Sequence, residues 1–285
     1  MQHENDIPSK VRHLSDTVVL NNGVRMPWFG LGVFQANDGE EVKQSVLSAI
    51  KAGYRSIDTA AAYENEQGVG EAIRQSGVAR EQLFITTKLA NPDQGYESAL
   101  EAFESSLGKL GLDYIDLYLI HWPVEGKYKE SWRALEKLYD EGRIRAIGVS
   151  NFQIHHLEHL MEGSAIVPTV NQVELHPRLS QRELRQFCAR HGIQVEAWSP
   201  LMKGQLLDNE TIVQLAAKHG KTPSQIILRW DVQSSIITIP KSVKEARIRE
   251  NSDIFDFELS DDDMKAVDEL NLNHRIGPDP DNFDF

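Results

Sequence analysis

The sequence predicts an α/β protein: a (β/α)8 TIM barrel with an N-terminal β-hairpin and a C-terminal tail. Two observations support this fold: strand-like and helix-like segments alternate along the chain, and the series contains eight strands. The predicted strands are short apolar or β-branched runs at 29–32, 55–58, 83–88, 115–120, 144–150, 170–174, 194–197 and 236–240. Eight parallel strands fit a closed barrel better than an open sheet, so we expect one domain over residues 1–285.

The connecting segments are consistent with this fold. Residues 16–30 are expected to form a hairpin that turns at Asn-Asn-Gly, 21–23, a chemistry typical of a two-residue turn. Helices with one apolar face fill the gaps, for example at 39–53, 96–111, 131–142 and 180–192. Several end on a glycine that precedes a hydrophobic strand, as at Gly53, Gly111 and Gly192. The turn-rich tail GPDPDNFDF is expected to lie on the surface or across one end of the barrel.

Composition argues against several classes of function. The net charge of −13 and the pI near 5.2 argue against nucleic acid or an anionic membrane as a partner. A single cysteine, Cys188, excludes an internal disulfide and a cysteine-based zinc finger. The N-terminal segment is polar and lacks the apolar core of a signal peptide, and the longest apolar run, 115–120, is too short to cross a bilayer. We therefore expect a cytoplasmic monomer that acts on a small molecule.

Four polar residues lie where predicted strands end: Asp58, Tyr63, Lys88 and His121. The C-terminal ends of parallel strands meet on one face of a barrel, so these side chains should be neighbours. Lys88 ends an apolar run and needs a counter-ion, for which Asp58 is the natural candidate. An ammonium beside a tyrosine favours the phenolate and lowers the tyrosine pKa. The quartet predicts a proton-transfer site with Tyr63 as the acid, although a lone histidine there would more often be structural.

A second group of residues follows the last predicted strand. Lys241 and Ser242 come directly after it, and Arg247 and Arg249 lie in the next helix. Three basic groups near a helix N-terminus in an acidic chain predict a phosphate site, in a region where barrels often bind phosphate. The alternative is a basic helix face exposed to solvent.

Three other segments resemble known functional motifs only in part, and each lacks a feature that the motif requires. The Gly-Leu-Gly at 30–32 is followed by Gln35 where a Rossmann turn needs its third glycine. Residues 155–159 match the His-x-x-Glu-His zinc pattern, but the outer histidines fall opposite the apolar stripe of the helix, so we expect no metal. The Gly-Val-Ser at 148–150 begins like a nucleophile elbow, but Phe152 replaces the closing glycine, which argues against a serine hydrolase.

Eight segments of the chain together resemble the aldo-keto reductase superfamily. They occur in order as MPWFGLGVF, GYRSIDTAAAYENEQGVGEAI, ITTKL, LDYIDLYLIHWP, WRALEKLYDEGRIRAIGVSNF, NQVELHP, EAWSPL and IPKS. The nearest resemblance is to the bacterial branch that holds glyoxal and methylglyoxal reductases and 2,5-diketo-gluconate reductases. It implies a barrel that binds NADPH or NADP+ extended across its C-terminal face.

The resemblance also implies a role for each matching residue. Tyr63 matches the proton donor, Lys88 and Asp58 its supporting pair, and His121 the residue that orients the carbonyl. The positions that match cofactor-binding groups are Ser150, Asn151 and Gln172 for the carboxamide, Trp198 for the nicotinamide ring, Ser199, Leu201, Lys203 and Gly204 for the pyrophosphate, Lys241, Ser242, Val243 and Arg247 for the 2′-phosphate, and Glu250 and Asn251 for the adenine.

The substrate side is less tightly constrained. Phe34 and Trp122, with His121, match the walls of the family's substrate pocket. Trp198 stands where many relatives have tyrosine, and Ala90 replaces a tryptophan, which is expected to widen the mouth. The implied function is NADPH-dependent reduction of aldehydes and α-dicarbonyls such as glyoxal and methylglyoxal, with the proton from Tyr63. The alternatives are a reductase of sugar-derived keto acids of the 2,5-diketo-gluconate type, and an NADPH-sensing regulatory subunit with little turnover.

Overall fold

A ring of eight parallel strands forms the centre of the computed structural model, which describes residues 11–285. The strands are β3 (Gly30–Gly32), β4 (Ser56–Asp58), β5 (Phe84–Leu89), β6 (Ile115–Ile120), β7 (Ile144–Ser150), β8 (Val170–Glu174), β9 (Gln194–Trp198) and β10 (Ile237–Thr238). Each pairs with its neighbour in chain order, and two parallel bridges, Phe29 with Thr238 and Gly32 with Lys241, join the outer strands. The predicted (β/α)8 barrel is therefore confirmed.

Helices separate consecutive strands, as the alternation predicts. In residues 11–285 they are α1 (Glu40–Lys51), α2 (Glu66–Gln75), α3 (Tyr96–Leu110), α4 (Tyr128–Asp140), α5 (Ile154–Met161), α6 (Arg182–Arg190), α7 (Glu210–His219), α8 (Pro223–Gln233), α9 (Glu245–Ser252) and α10 (Asp261–Asp268). Gly53, Gly111 and Gly192 have φ values of 102°, 64° and 68°, the left-handed conformation expected where these helices end.

The N-terminal hairpin is present, but its turn differs from the prediction. Strands β1 (Thr17–Val19) and β2 (Arg25–Pro27) pair antiparallel. Leu20 donates its backbone N–H to the Val24 carbonyl at 2.8 Å, which leaves three residues in the loop rather than two. Gly23, at φ 85°, supplies the left-handed residue that such a three-residue loop requires.

The side chains inside the barrel are apolar at one end of its axis and polar at the other. At the N-terminal end, buried apolar side chains from the hairpin and the strands pack together, and we call this cluster the apolar floor. Its members are Leu20, Met26, Trp28, Phe84, Leu117, Leu119, Ala146, Val170 and Ile237. Alternate residues of a strand point to the same side, so the same inward rows continue to polar side chains at the C-terminal end, which we call the polar mouth. Its members are Asp58, Lys88, His121, Ser150, Gln172, Glu196 and Trp198.

The C-terminal tail crosses the polar mouth, one of the two positions expected for it. Glu174 at the end of β8 accepts hydrogen bonds from the backbone N–H groups of Ile276 and Gly277, at 2.7 and 2.9 Å. Residues 1–10, on which the argument against a signal peptide largely depends, lie outside the described residues. Among residues 11–285, no helix is both long enough and apolar enough to cross a bilayer.

Candidate active site

The predicted quartet comes together at the polar mouth. Lys88 donates from Nζ to Asp58 Oδ1 at 2.6 Å, to the Thr59 carbonyl at 3.0 Å and to Tyr63 Oη at 3.3 Å. The His121 ring lies edge-on to the Tyr63 ring, with centroids 5.6 Å apart. Asp58 is therefore the counter-ion of Lys88, as predicted, and the two side chains form a buried ion pair.

Each member of the quartet is placed by the local backbone. Asp58 ends β4, and a short 3-10 turn, Ala61–Tyr63, returns the tyrosine over the end of that strand. Lys88 is four residues beyond Phe84 on β5, so the strand alternation directs it inward above the apolar floor. His121 directly follows β6, whose inward row it continues.

Burial and charge set the protonation states of the quartet. Burial alone would lower the pKa of Lys88, but Asp58 and Tyr63 raise it above its ordinary value, so the ammonium stays charged. Burial also raises the pKa of Tyr63 more than Lys88 lowers it. The expected downward shift of the Tyr63 pKa is therefore wrong for this structure, and the hydroxyl keeps its proton near neutral pH. Burial and the nearby Lys88 lower the pKa of His121 to about 3, so the imidazole is neutral.

A cavity of about 580 Å³ opens above the quartet. Its walls combine three members of the quartet with aromatic rings, polar groups from β7 to β9, two other lysines and the tail, while Lys88 lies buried behind them. They include Phe34, Asp58, Tyr63, His121, Trp122, Ser150, Asn151, Gln172, Trp198, Ser199, Leu201, Lys203, Lys241, Ile276, Gly277 and Phe285. The predicted pocket residues Phe34 and Trp122 both lie on this wall, and Phe34 is 52% exposed.

The residues predicted to hold the nicotinamide lie side by side on this wall. Asn151 donates from Nδ2 to Ser150 Oγ at 3.1 Å and accepts the Trp198 indole N–H on Oδ1 at 2.8 Å. Gln172 donates from Nε2 to Asp58 Oδ2 at 2.8 Å. Asn151 has φ 66°, in the left-handed region that non-glycine residues seldom adopt and that often marks functional sites.

The loop after β9 borders the same cavity with irregular backbone. Ser199 and Lys203 both have φ 53°, again left-handed, and both line the cavity together with Leu201. Gly204 ends the 3-10 turn Met202–Gly204 at φ 87° and does not touch the cavity wall. The loop therefore brings a cation, Lys203, and left-handed backbone to one edge of the mouth.

The residues predicted to bind the 2′-phosphate and adenine lie beyond that edge. Lys241 lines the cavity and donates to the Gln35 carbonyl at 3.2 Å. The others, outside the cavity wall, are Ser242, Val243, Arg247, Glu250 and Asn251, on α9 and the loop before it. Arg249, the third basic group of the prediction, pairs instead with Glu245 on its own helix at 2.7 Å. Lys241 and Arg247 are both exposed and therefore accessible to an anion.

These residues fit an extended nicotinamide dinucleotide. Trp198 offers an aromatic face, and Ser150, Asn151 and Gln172 offer the amide and hydroxyl groups that a carboxamide needs. Lys203 and Lys241 bring positive charge to the cavity of a chain whose net charge is −13. The same cavity therefore offers polar groups beside the quartet and two cations.

The structure also reveals site residues that the sequence reasoning missed. Phe283 and Phe285 of the tail pack on Trp122, each with ring centroids 5.2 Å away, and Asn91 donates to the Phe285 carbonyl at 3.0 Å. Ala90 is buried next to Asn91 and does not itself line the cavity, and the widening of the mouth expected from its small side chain stays a prediction. The aromatic pair in the terminal NFDF was the available signal.

A cluster of His155, His156 and Asp281 joins the tail to α5. His155 lies on the exposed side of α5, as the helical phase predicted. His156 accepts the Gln153 backbone N–H on Nδ1 at 3.1 Å, so its proton sits on Nε2, which faces Asp281 Oδ1 at 3.5 Å. That tautomer turns an N–H rather than a lone pair toward the cluster, so the geometry suits a hydrogen bond better than a metal.

Comparison with known proteins identifies the family of this chain. The sequence profile of the aldo/keto reductase family matches residues 28–272. Glyoxal reductase of Bacillus subtilis is 65% identical over 95% of this chain and 99% of its own length, and methylglyoxal reductase DkgA of Escherichia coli is 50% identical over 93% and 97%. A solved variant of Gox0644 in complex with NADPH is 44% identical, covers 95% of this chain and 99% of its own, and superposes with a TM-score of 0.91. The chain belongs to the aldo/keto reductase family and is a carbonyl-reducing oxidoreductase.

Proposed function

We propose that this protein reduces small α-dicarbonyls and aldehydes, with methylglyoxal and glyoxal as good substrates and NADPH as the reductant. The observation that carries the proposal is the contact of Lys88 Nζ with both Asp58 and Tyr63 at the base of an aromatic-walled cavity. This arrangement suits delivery of a proton to an oxygen that enters the cavity.

In the proposed mechanism, bound nicotinamide supplies the hydride and the protein supplies the proton and the field. Tyr63 donates its proton to the developing alkoxide, and Lys88, 3.3 Å away, stabilises the phenolate that remains. Asp58 keeps Lys88 charged and in place. His121 is neutral and donates a hydrogen bond to the substrate oxygen, which is an oxyanion-hole role.

The cavity walls support small, electron-poor substrates. Phe34, Trp122 and Phe285 give the outer wall an apolar, aromatic character. An α-dicarbonyl needs few specifying contacts because its second carbonyl already activates the first. A polyhydroxy sugar would lose more water hydrogen bonds against these aromatic rings than the rings could replace. Two relatives are named as glyoxal and methylglyoxal reductases, which supports the same substrate class.

NADPH rather than NADH is the proposed reductant because cations lie at the outer edge of the mouth. Lys241 and Arg247 are exposed, and within residues 11–285 neither forms an ion pair with an acidic side chain. A 2′-phosphate could therefore form charge-assisted hydrogen bonds with both. We also propose that the protein acts as a monomer, and an NADPH-dependent reductase of small carbonyls is suited to the cytoplasm.

The test is stoichiometric turnover. Purified protein, NADPH and methylglyoxal should give one alcohol for each NADPH oxidised, with NADH much less effective under the same conditions. The regulatory-subunit alternative predicts NADPH binding, seen as a change in tryptophan emission, without oxidation by methylglyoxal or any other reactive aldehyde. Binding without turnover across a panel of aldehydes would therefore contradict the proposed function.

A further inference from the structure

Two glutamates lie inside neighbouring strands of the barrel, and neither is exposed to solvent. Glu174 is on β8 and Glu196 is on β9, and both side chains are completely buried. A buried carboxylate is costly unless donors surround it, so each glutamate must either collect donors or keep its proton.

The Glu174 carboxylate is surrounded by hydrogen-bond donors. It accepts the His176 Nε2–H at 2.9 Å and the backbone N–H groups of Ile276 and Gly277. Burial alone would raise its pKa, but these donors hold the pKa below its ordinary value. Glu174 is therefore ionised, and it anchors the base of the tail.

Within residues 11–285, Glu196 accepts a hydrogen bond from a single donor, the Gln172 side chain. Gln172 donates from the same Nε2 atom to Glu196 Oε2 and to Asp58 Oδ2, each at 2.8 Å. Glu196 Oε1 has no hydrogen-bond partner among the described residues. One amide nitrogen thus links two buried carboxyl groups, and Lys88 pairs directly with only one of them, Asp58.

The charged groups around Glu196 and Asp58 determine which of these two carboxyl groups is protonated. The charged and titratable groups that act on Glu196 are Asp58 from β4, Lys88 from β5 and Tyr63 from the turn after β4. Its partners in register on the neighbouring strands are uncharged: Gln172 on β8 and Ile237 on β10. Burial, followed by the negative charge of Asp58, raises the pKa of Glu196 to about 8.

We propose that Glu196 is a protonated positioning residue, which acts through Gln172 on the Asp58–Lys88–Tyr63 group and slows reduction when it ionises. Neutral Glu196 fixes the Gln172 side chain, and Gln172 in turn fixes Asp58 through its hydrogen bond to Oδ2. Because this glutamate is uncharged, it adds no second buried anion beside Asp58. On ionisation, the added negative charge raises the Tyr63 pKa and opposes the alkoxide that forms beside it. The rate of reduction should then fall as the pH rises through the pKa of Glu196.

The kinetic test, which depends on the proposed function, compares three variants over pH 6–10. Glu196→Ala should lower kcat roughly tenfold or more throughout, because Gln172 loses its second partner. Glu196→Gln, which resembles the neutral acid, should recover most of that loss at pH 7 and remove the alkaline fall near pH 8. Glu174→Gln is the matched buried control and should keep the alkaline fall. An alkaline fall in Glu196→Gln identical to that of the wild type would overturn the proposal.

An infrared titration decides the protonation state without any turnover. Protein labelled with ¹³C in the glutamate side-chain carboxyl should show the band of a protonated, labelled acid at pH 7 that disappears as the pH passes 8 and is missing from Glu196→Gln. The label separates this band from that of Asp231, a buried aspartate whose pKa burial also raises well above its ordinary value. Absence of a labelled band at pH 7 would contradict the inference, whereas failure of the wild type to reduce methylglyoxal would contradict only the proposed function.

Discussion

The two ends of the barrel interior come from the same strands, yet their chemistry is opposite. On β5, Phe84 belongs to the apolar floor and Lys88 to the polar mouth, and on β8 Val170 and Gln172 divide in the same way. The floor is closed by the hairpin, while the mouth is bordered by loops with left-handed backbone and crossed by the tail. The difference indicates that, of these two ends, the floor contributes more to stability and the mouth carries the reactive groups, so substitutions at the two ends should affect different measurements.

The largest expected effect is at the mouth. Tyr63→Phe should lower kcat/KM for methylglyoxal by about 10²–10⁴-fold, because the proton donor is lost while the ring remains. NADPH binding and thermal stability should be unchanged. Tyr139→Phe is the control, because the Tyr139 hydroxyl lies 3.5 Å from Asn22 of the hairpin, away from the mouth. Activity of Tyr63→Phe within tenfold of wild type would refute its role as the acid.

At the floor, the expected effect is on folding. Leu117→Ala should lower the free energy of unfolding by about 2–5 kcal/mol, because it leaves a cavity in a fully buried cluster. The KM for methylglyoxal should stay at the wild-type value in the folded protein. Leu272→Ala, at a side chain that is 65% exposed, should change stability by less than about 0.5 kcal/mol. Denaturant titration and steady-state kinetics measure both quantities, and a changed KM in Leu117→Ala would weaken the separation between the ends.

A smaller effect is expected at the outer edge of the mouth. Arg247→Ala should weaken NADPH binding by roughly tenfold to a hundredfold and leave NADH binding almost unchanged, because one charge-assisted hydrogen bond to the 2′-phosphate is lost. Arg249→Ala is the control, since Arg249 already pairs with Glu245. Equal losses for NADPH and NADH in Arg247→Ala would show that this guanidinium does not contact the phosphate.

The smallest effect is spectroscopic and compares the two ends directly. Trp28 lies in the floor and Trp198 in the mouth, among five tryptophans in the chain. Binding of NADP+ should quench tryptophan emission, and Trp198→Ala should remove most of that quench. Trp28→Phe should retain it. A full quench in Trp198→Ala would assign the signal to another tryptophan.

The parts of the structure that the sequence predicted best are those in which local pattern and global fold agree. Alternating segments predicted the order of strands and helices, and the pairing of Lys88 with Asp58 followed from the cost of an unpaired buried charge. The hairpin turn was predicted one residue too short, because Asn-Asn-Gly suits both two-residue and three-residue loops and only the strand register separates them.

Depth of burial was the main quantity that the sequence did not supply. The Tyr63 pKa was expected to fall because its charged neighbour was identifiable, but the opposing effect of burial depends on packing around the ring. Glu196 was overlooked because a single acid in EAW gives no sign of its distance from Asp58. Glu196 lies two residues before Trp198 on β9, and alternate residues of a strand point to the same side. This spacing could have predicted that Glu196 points into the barrel.

The central claim is that the polar mouth is built for small, activated carbonyls. The most direct measurement is kcat/KM for methylglyoxal, glucose and 2,5-diketo-gluconate with NADPH under one set of conditions. We predict that methylglyoxal is the best of the three and glucose the poorest, because the aromatic wall of Phe34, Trp122 and Phe285 offers few hydrogen-bonding groups for sugar hydroxyls. A kcat/KM for either sugar compound equal to or above that for methylglyoxal would contradict this account of the pocket.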